Sequence, residues 1–302
     1  MPITAKQETG AAYDFRVNQV EFNNPVNGEK TGLFANIRQD NNEILGVVSK
    51  RYSIVNNSDI LGRADSALEA AGMPYKRNVY TLEGGRKMKA YYDIGVDEEG
   101  KVINEAMTRK VAKGDIMGFR LIAQNSFDRT LRVSFALGLI RLVCTNGMTT
   151  MEKEISMIKK HSQSFNLDDF IAGDALETAI KRLDNSVNVY KLLADQEVSQ
   201  EQGLSILNNL TTPRFKKVLS EKAREGVARI WNNPTHDEDA DRNLYNLNNA
   251  VTQYFTHEQD SVEYAQRSSK RVLEYFEQAA HSGKEGKTFT ALTKNEEITV
   301  VE

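Results

Sequence analysis

Asn125–Thr150, NSFDRTLRVSFALGLIRLVCTNGMTT, sets arginines into a strongly apolar run, holds the chain's one cysteine and closes on a polar, glycine-containing turn. From Arg132 onward a period of two places Val133, Phe135, Leu137 and Leu139 on one face and Arg132, Ser134, Ala136 and Gly138 on the other. That is the pattern of a half-buried β-strand with a small-residue outer face. Ile140 and Arg141 break the alternation: either a bulge near Gly138 restores the register, or the strand ends there and Arg141 starts a segment aimed elsewhere. The small face leaves room for another backbone, be it a partner strand, a nucleic-acid chain or the protein's own helices. A buried Arg141 would instead need an acid such as Asp128 or Asp115 beside it.

Outward from this stretch, the first half of the chain is rich in strands. GLFANI (Gly32 to Ile37), EILGVVSKRYSIVN (Glu43 to Asn56), RKMKAYYDIGV (Arg86 to Val96), DIMGFRLIAQNSF (Asp115 to Phe127) and LRVSFALGLIRLVCT (Leu131 to Thr145) are enriched in β-branched and aromatic residues, with the turn signals NGEKTG, EGG and DEEG between them. SDILGRADSALEAAG reads as one early helix, with Ser58 or Asp59 as cap and Gly72 as its end. The fold class expected is α+β: an N-terminal β-rich half with an early helix packed on an antiparallel or mixed sheet, followed by a helical C-terminal half.

The character changes near Phe165. Leu167, Phe170, Ile171, Leu176, Ile180, Leu183, Val187, Tyr190 and Leu193 recur at helical spacing, with Asn166 or Asp168 as caps. Further helices are expected over 199–210, 213–231, 240–256 and 262–280, Pro213 suiting a first turn and the acids of NNPTHDEDAD leading into the next helix. The expected division is a β-rich domain over 1–160 as the candidate nucleic-acid-binding part, a helical region over 161–281 for assembly or partner binding, and a flexible tail over 282–302.

Composition excludes more than it assigns. At 302 residues with 40% hydrophobic content the chain can bury a core. No apolar run approaches the roughly 18 residues of a membrane span, and the start lacks a signal-peptide pattern, so a cytoplasmic protein without a membrane partner is expected. A lone cysteine forms no internal disulfide, and Cys144, among apolar neighbours, reads as core. His161, His236, His257 and His281 have no ligand spacing, while Asp237, Glu238, Asp239 and Asp241 lack a calcium loop's alternation and read as helix-start acids. EGGRK lacks the spacing of a phosphate loop, and there is no Gly-x-Ser-x-Gly elbow. No metal, cofactor or catalytic residue is therefore expected. The net charge of −3 hides an asymmetry: residues 1–160 hold 23 Lys+Arg against 19 Asp+Glu, and residues 161–302 hold 16 against 23. The basic excess lies with the strands.

Those strands interleave basic and aromatic residues: Lys50, Arg51 and Tyr52 in SKRYSIV, Arg86, Lys87, Lys89, Tyr91 and Tyr92 in GGRKMKAYYDI, and Arg129, Arg132 and Arg141 in the opening stretch, with Arg120 just before. Arg and Lys for phosphates with Tyr for stacked bases is how many sheets hold single-stranded nucleic acid; the alternative is a solvated face of long side chains.

LGVVSKRYSIVNN, GGRKMKAYYDI, LIAQNSFDRTLRVSFALGLIRLVCTNGM and NLYNLNNAVTQYFTH, in that order from about Gly46 to His257, resemble the phage/plasmid-like family designated domain of unknown function 932. The most specific piece is Arg141-Leu-Val-Cys144-Thr-Asn146, and NLNNAVTQYF is the second. Leu244-Tyr245 departs from the Thr-x-Trp-like helix entry expected of the family. The resemblance implies a mobile-element origin and no established reaction, and that setting favours DNA metabolism. The expectation is a non-catalytic single-stranded DNA-binding or strand-annealing protein that forms homo-oligomers. The alternative is a protein-binding factor that acts on a host defence or replication protein through the acidic half.

Overall fold

The computed structural model describes residues 6–7, 13–112, 115–142, 149–159, 161, 173–210, 218–258 and 262–283. Cys144, Asn146, Asn166, Asp168, Pro213 and the tail after 283 lie outside the described residues. The strands are β1 (Lys6–Gln7), β2 (Val17–Asn23), β3 (Lys30–Arg38), β4 (Ile44–Ser49), β5 (Tyr75–Leu82), β6 (Lys87–Ile94), β7 (Thr108–Ala112), β8 (Asp115–Ser126), β9 (Val133–Arg141) and β10 (Thr149–Lys159). The helices are α1 (Asn57–Ala70), α2 (Gly173–Ala194), α3 (Gln200–Asn209), α4 (Glu221–Asn232), α5 (Leu244–His257) and α6 (Val262–Gly283). The α+β class is borne out: a strand-rich half with one early helix precedes a helical half.

Two sheets form. One has the order β1-β5-β6-β8-β9-β10, with β7 also paired to β8; the other is the antiparallel meander β2-β3-β4. The chain divides into two compact units, 1–108 with 118–139 and 153–183, and 109–117 with 140–152 and 184–302. Strands β8, β9 and β10 each pass from one unit into the other.

In the first unit α1 closes one face of the larger sheet. Ile60, Leu61, Ala64, Ala67 and Leu68 are its buried stripe, at the spacing of a helix with one face turned inward. Met88, Ala90, Tyr92 and Ile94 alternate along β6 and are at most 1% exposed. The Tyr92 hydroxyl donates to the Leu61 carbonyl at 3.3 Å, tying strand to helix. The helix begins after Asn56 rather than at Ser58, because Asn57 is drawn inside, and it ends where Gly72 takes φ +63° and Met73 N–H returns to the Leu68 carbonyl.

The opening stretch is strand as expected, but its outer face is not open. Ser134 is 5% exposed, Ala136 is half-buried and Gly138 is buried along with the apolar positions. The room expected there for a second backbone is already taken, because β9 lies between β8 and β10 within the sheet and both of its faces are covered. The charge pattern that suggests surface is thus split: Arg132, just before β9, is exposed, and Arg141, its last residue, is 2% exposed.

In the second unit the helices start at short polar side chains that accept from the orphan backbone donors of the first turn. Ser199 and Gln202 form a reciprocal capping box on α3, Ser220 accepts from Ala223 N–H on α4, and Asn243 accepts from Asn246 N–H on α5. Helix α4 begins at Glu221, later than expected, and α5 at Leu244 rather than near Ala240. Helices α4 and α5 meet backbone to side chain at Gly226, where an added Cβ would lie 2.2 Å from Cε2 of Tyr254. Gly226→Ala, which in an exposed helix would stabilise, should here lower stability by about 1–3 kcal/mol through overpacking. Urea denaturation of the two proteins checks this, and an unchanged midpoint would show the packing at Gly226 to be loose.

Candidate nucleic-acid interface

Three turns of the first unit converge on the end of β8, and buried polar groups hold them there. Phe127 N–H donates to the Arg86 carbonyl at 2.8 Å, which brings the β5–β6 turn alongside. The Tyr52 hydroxyl donates to the Ser126 carbonyl at 2.6 Å, which brings the loop after β4. Asn36 of β3 donates to the Phe127 carbonyl at 2.7 Å. The Asn125 amide reaches the Val55 carbonyl and the Asn57 side chain, both at 2.9 Å. Ser126 Oγ then closes the β8–β9 turn by exchanging bonds with Leu131. A buried carbonyl left without a donor costs about 1–3 kcal/mol, so this set of bonds fixes where the turns sit.

Each turn carries exposed cations. Lys50 and Arg51 lie on the loop after β4, Arg86 on the β5–β6 turn, and Arg129 and Arg132 on the β8–β9 turn. Among the described residues Arg51, Arg86, Arg129 and Arg132 make no ion pair. Carboxylates are close by as well: Glu83 binds Lys87 at 2.5 Å, Asp128 accepts from Thr130 N–H and hydroxyl, and the Glu43 carboxylate lies against Gly84 of the β5–β6 turn. Arg129 holds φ +69°, a left-handed conformation that is uncommon outside glycine, and Glu83, Gly84 and Gly85 follow one another at positive φ. Strained, cation-bearing turns on a rigid sheet are a common form of binding surface.

The larger sheet's other face, the one away from α1, continues this edge. Register places Lys87 beside Leu82 and Ser126, Lys89 beside Tyr80 and Gln124, Tyr91 beside Asn78 and Ile122, and Asp93 beside Lys76 and Arg120. Tyr80 and Tyr91 meet edge to face with ring centroids 5.4 Å apart, and the Arg120 guanidinium stands 5.2 Å from the Tyr91 centroid. Arg120 also forms an ion pair with Asp93. Burial, partly offset by Arg120, raises the Tyr91 hydroxyl's pKa, so the phenol stays protonated.

The expected site residues therefore separate. Lys50, Arg51, Arg86, Lys87, Arg129 and Arg132 are brought together around the end of β8, and Lys89 and Tyr91 lie on the adjoining face. Tyr52 and Tyr92, at 5% and 0% exposure, are buried supports whose rings offer no surface to a base, and burial is the main cause of the raised pKa of each. Tyr52 also stacks on His161, with centroids 4.6 Å apart. Tyr80 is absent from the residues that the sequence pattern singles out. Its only signal is its pairing with Lys89, and that depends on register.

Arg141 belongs to the second unit and to a buried cluster. Its Nε donates to Asp115 Oδ1 at 3.1 Å, its Nη2 lies 2.6 Å from Asp115 Oδ2, and its Nη1 lies 3.0 Å from Asp239 Oδ1. The Tyr245 hydroxyl donates to Asp115 Oδ2 and the Asn249 amide to Asp239 Oδ1, both at 2.9 Å. Burial disfavours the guanidinium's charge, but the bond to Asp115 and the surrounding negative groups outweigh it and hold the arginine firmly protonated. Asp239 is thus a buried counter-ion in a 3-10 turn rather than the helix-start acid expected, since α5 begins five residues later under Asn243. Among the described residues no group of His, Cys, Asp and Glu is arranged to hold a metal ion, and no helix is long and apolar enough to cross a membrane.

A family model described as Domain of unknown function (DUF932) matches residues 44–287. No curated protein and no solved structure matches the chain. The matched span takes in the end of β8, the cationic turns and the Arg141 cluster, while Asn36, the donor to the Phe127 carbonyl, precedes it.

Arg141→Ala should cost about 3–5 kcal/mol, because two buried carboxylates are left without their cation. Thermal and urea unfolding check this. A destabilisation under about 1 kcal/mol, the range of a surface ion pair, would place Arg141 at the surface instead.

Proposed function

The chain belongs to the DUF932 family, a designation that carries no activity, and from its own residues we propose that it is a non-catalytic single-stranded DNA-binding protein of the strand-annealing kind. The observation that supports this is the gathering of Lys50, Arg51, Arg86, Arg129 and Arg132, from three separate turns, at one end of a sheet. Cations so placed meet successive phosphates of a flexible strand, and releasing that strand's counterions supplies affinity independent of sequence. Lys87, Lys89 and Tyr91 extend the surface along the sheet, with Tyr80 joining them. Phosphate binding of this sort positions a strand without reading its bases, which suits annealing. The reading places the protein in the cytoplasm and needs no metal or nucleotide.

Annealing also needs several copies along one strand. The outer face of the β2-β3-β4 sheet favours self-association: Val20, Leu33, Ile44 and Val47, each at least 40% exposed, share it with Phe22 and Ile37. The same apolar face favours the second reading, a factor that binds a host protein. Light scattering separates the two, since an annealing protein gives masses well above 34.0 kDa with single-stranded DNA, and a host-binding factor does not.

Arg129→Gly with Arg132→Ala should weaken binding to an oligothymidine and reduce the slope of log affinity against log salt by about 0.7 for each phosphate that the variant no longer neutralises. Thermal stability should be kept, because glycine adopts the Arg129 backbone conformation without strain and Arg132 is exposed. Fluorescence anisotropy across a salt series measures the slope. A slope identical to wild type, or no binding at low salt, would rule out this edge as a phosphate surface.

A further inference from the structure

Most cations on β5, β6 and β8 are matched. Arg77 pairs with Asp65, Lys87 with Glu83 and Arg120 with Asp93, while Lys76 lies opposite Asp93 in register. Lys89, midway along β6, is the exception. It is half-buried, register gives it Tyr80 on one side and Gln124 on the other, and no described carboxylate pairs with it.

A lysine so placed has given up part of its hydration without gaining a counter-charge from any described residue, and its two cross-strand neighbours carry hydroxyl and amide donors rather than acids. We propose that Lys89, with Tyr80 and Gln124, forms a seat for one phosphate-type anion. The inference rests on the nucleic-acid reading for its natural ligand, a phosphodiester of the bound strand; free inorganic phosphate offers the same chemistry. Burial, and after it the charge of Lys87, lowers the Lys89 pKa, as expected of a charge whose partner is still to arrive. The anion would sit on the face that carries Tyr80 and Tyr91, so a phosphate held there would bring its nucleotide against their ring edges. The turn cations grip the strand loosely by charge, and Lys89 sets its register on the sheet.

The test is thermal unfolding of the full chain in a few millimolar potassium phosphate against potassium chloride at matched ionic strength, for wild type, Lys89→Met and Lys89→Arg, alongside oligothymidine binding by each. Lys89→Met keeps the stem's packing and removes the unmatched charge. The wild-type melting temperature should rise by about 2–4 °C in phosphate. Lys89→Met should melt above wild type in chloride and show no phosphate rise, and Lys89→Arg should keep the rise. Equal responses in wild type and Lys89→Met, or none in wild type, overturn the seat. A Lys89-dependent phosphate rise without oligothymidine binding keeps the seat and removes the nucleic-acid reading. Oligothymidine binding equal in wild type and Lys89→Met, with no phosphate response, keeps that reading and removes the seat.

Discussion

Strand β8 reaches the end of its ladder with β6 at Ser126 while still inside the protein, and the polar groups left over there must be satisfied in a place where water does not reach. The carbonyls of Ser126 and Phe127 cannot be left bare, so Tyr52 and Asn36 donate into them, and Phe127 N–H is spent on the Arg86 carbonyl. Each donor or acceptor comes from a different piece of chain. Solving the hydrogen-bond problem of one strand end therefore forces three turns together. Their buried members, Tyr52, Asn36 and Asn125, are conformational anchors, and their outward members are the cations. The candidate site is in this sense a by-product of stability: the surface is basic where the turns meet, and the turns meet where β8 ends. The packing agrees with this order, because Gly46 faces the backbone of Asp128 so closely that an added Cβ would lie 2.7 Å from its Cα.

The second unit answers a different demand. Arg141 closes β9 and Asp115 opens β8, so two charges on neighbouring strands are buried together, and Asp239 and Tyr245 from the helical region complete the group. Buried ion pairs of this kind are weak contributors to net stability when set against an apolar replacement, yet costly to break from one side. Their consequence is specificity. Only one placement of the turn at Asp237–Asp239 and of α5 satisfies the guanidinium, and a shift of either strand by one residue would direct its charge to the opposite face.

Much of this is legible from residues alone. The change from a period of two to helical spacing marks the two halves, the run Asp115–Phe127 names β8 to within a residue, and Ser199 marks the start of α3, whereas the acids ahead of α5 point to a start near Ala240, four residues before the helix begins. The failures have physical causes. Alternation along β9 suggests one wet face, but Ser134, Ala136 and Gly138 are what a strand covered on both sides also carries, since close neighbours demand small side chains. Strand β5, YKRNVYTL, is too polar to stand out, and its role comes from pairing with β6 and β1. Asp115 can be named as a partner for Arg141 because a charge inside an apolar run needs one. Asp239, 98 residues away, cannot, because nothing local separates it from the acids beside it.

The stretch KMKAYYDI carries the same lesson to the scale of single side chains. Composition offers two lysines and two tyrosines as equals, and parity divides them. Met88, Ala90, Tyr92 and Ile94 face α1, and Lys87, Lys89, Tyr91 and Asp93 face away. One tyrosine is therefore a core residue whose hydroxyl is spent on a helix carbonyl, and the other lies half-buried against Tyr80 and Arg120. A further sorting, by charge, acts within the outward set. Lys87 is answered by Glu83 and Asp93 by Arg120, which leaves one lysine that no described carboxylate balances. Basic residues interleaved with aromatics are common on sheets, and most of them are neutralised by their neighbours. The informative quantity is the residue left over after pairing, and it emerges only when the strand register is known.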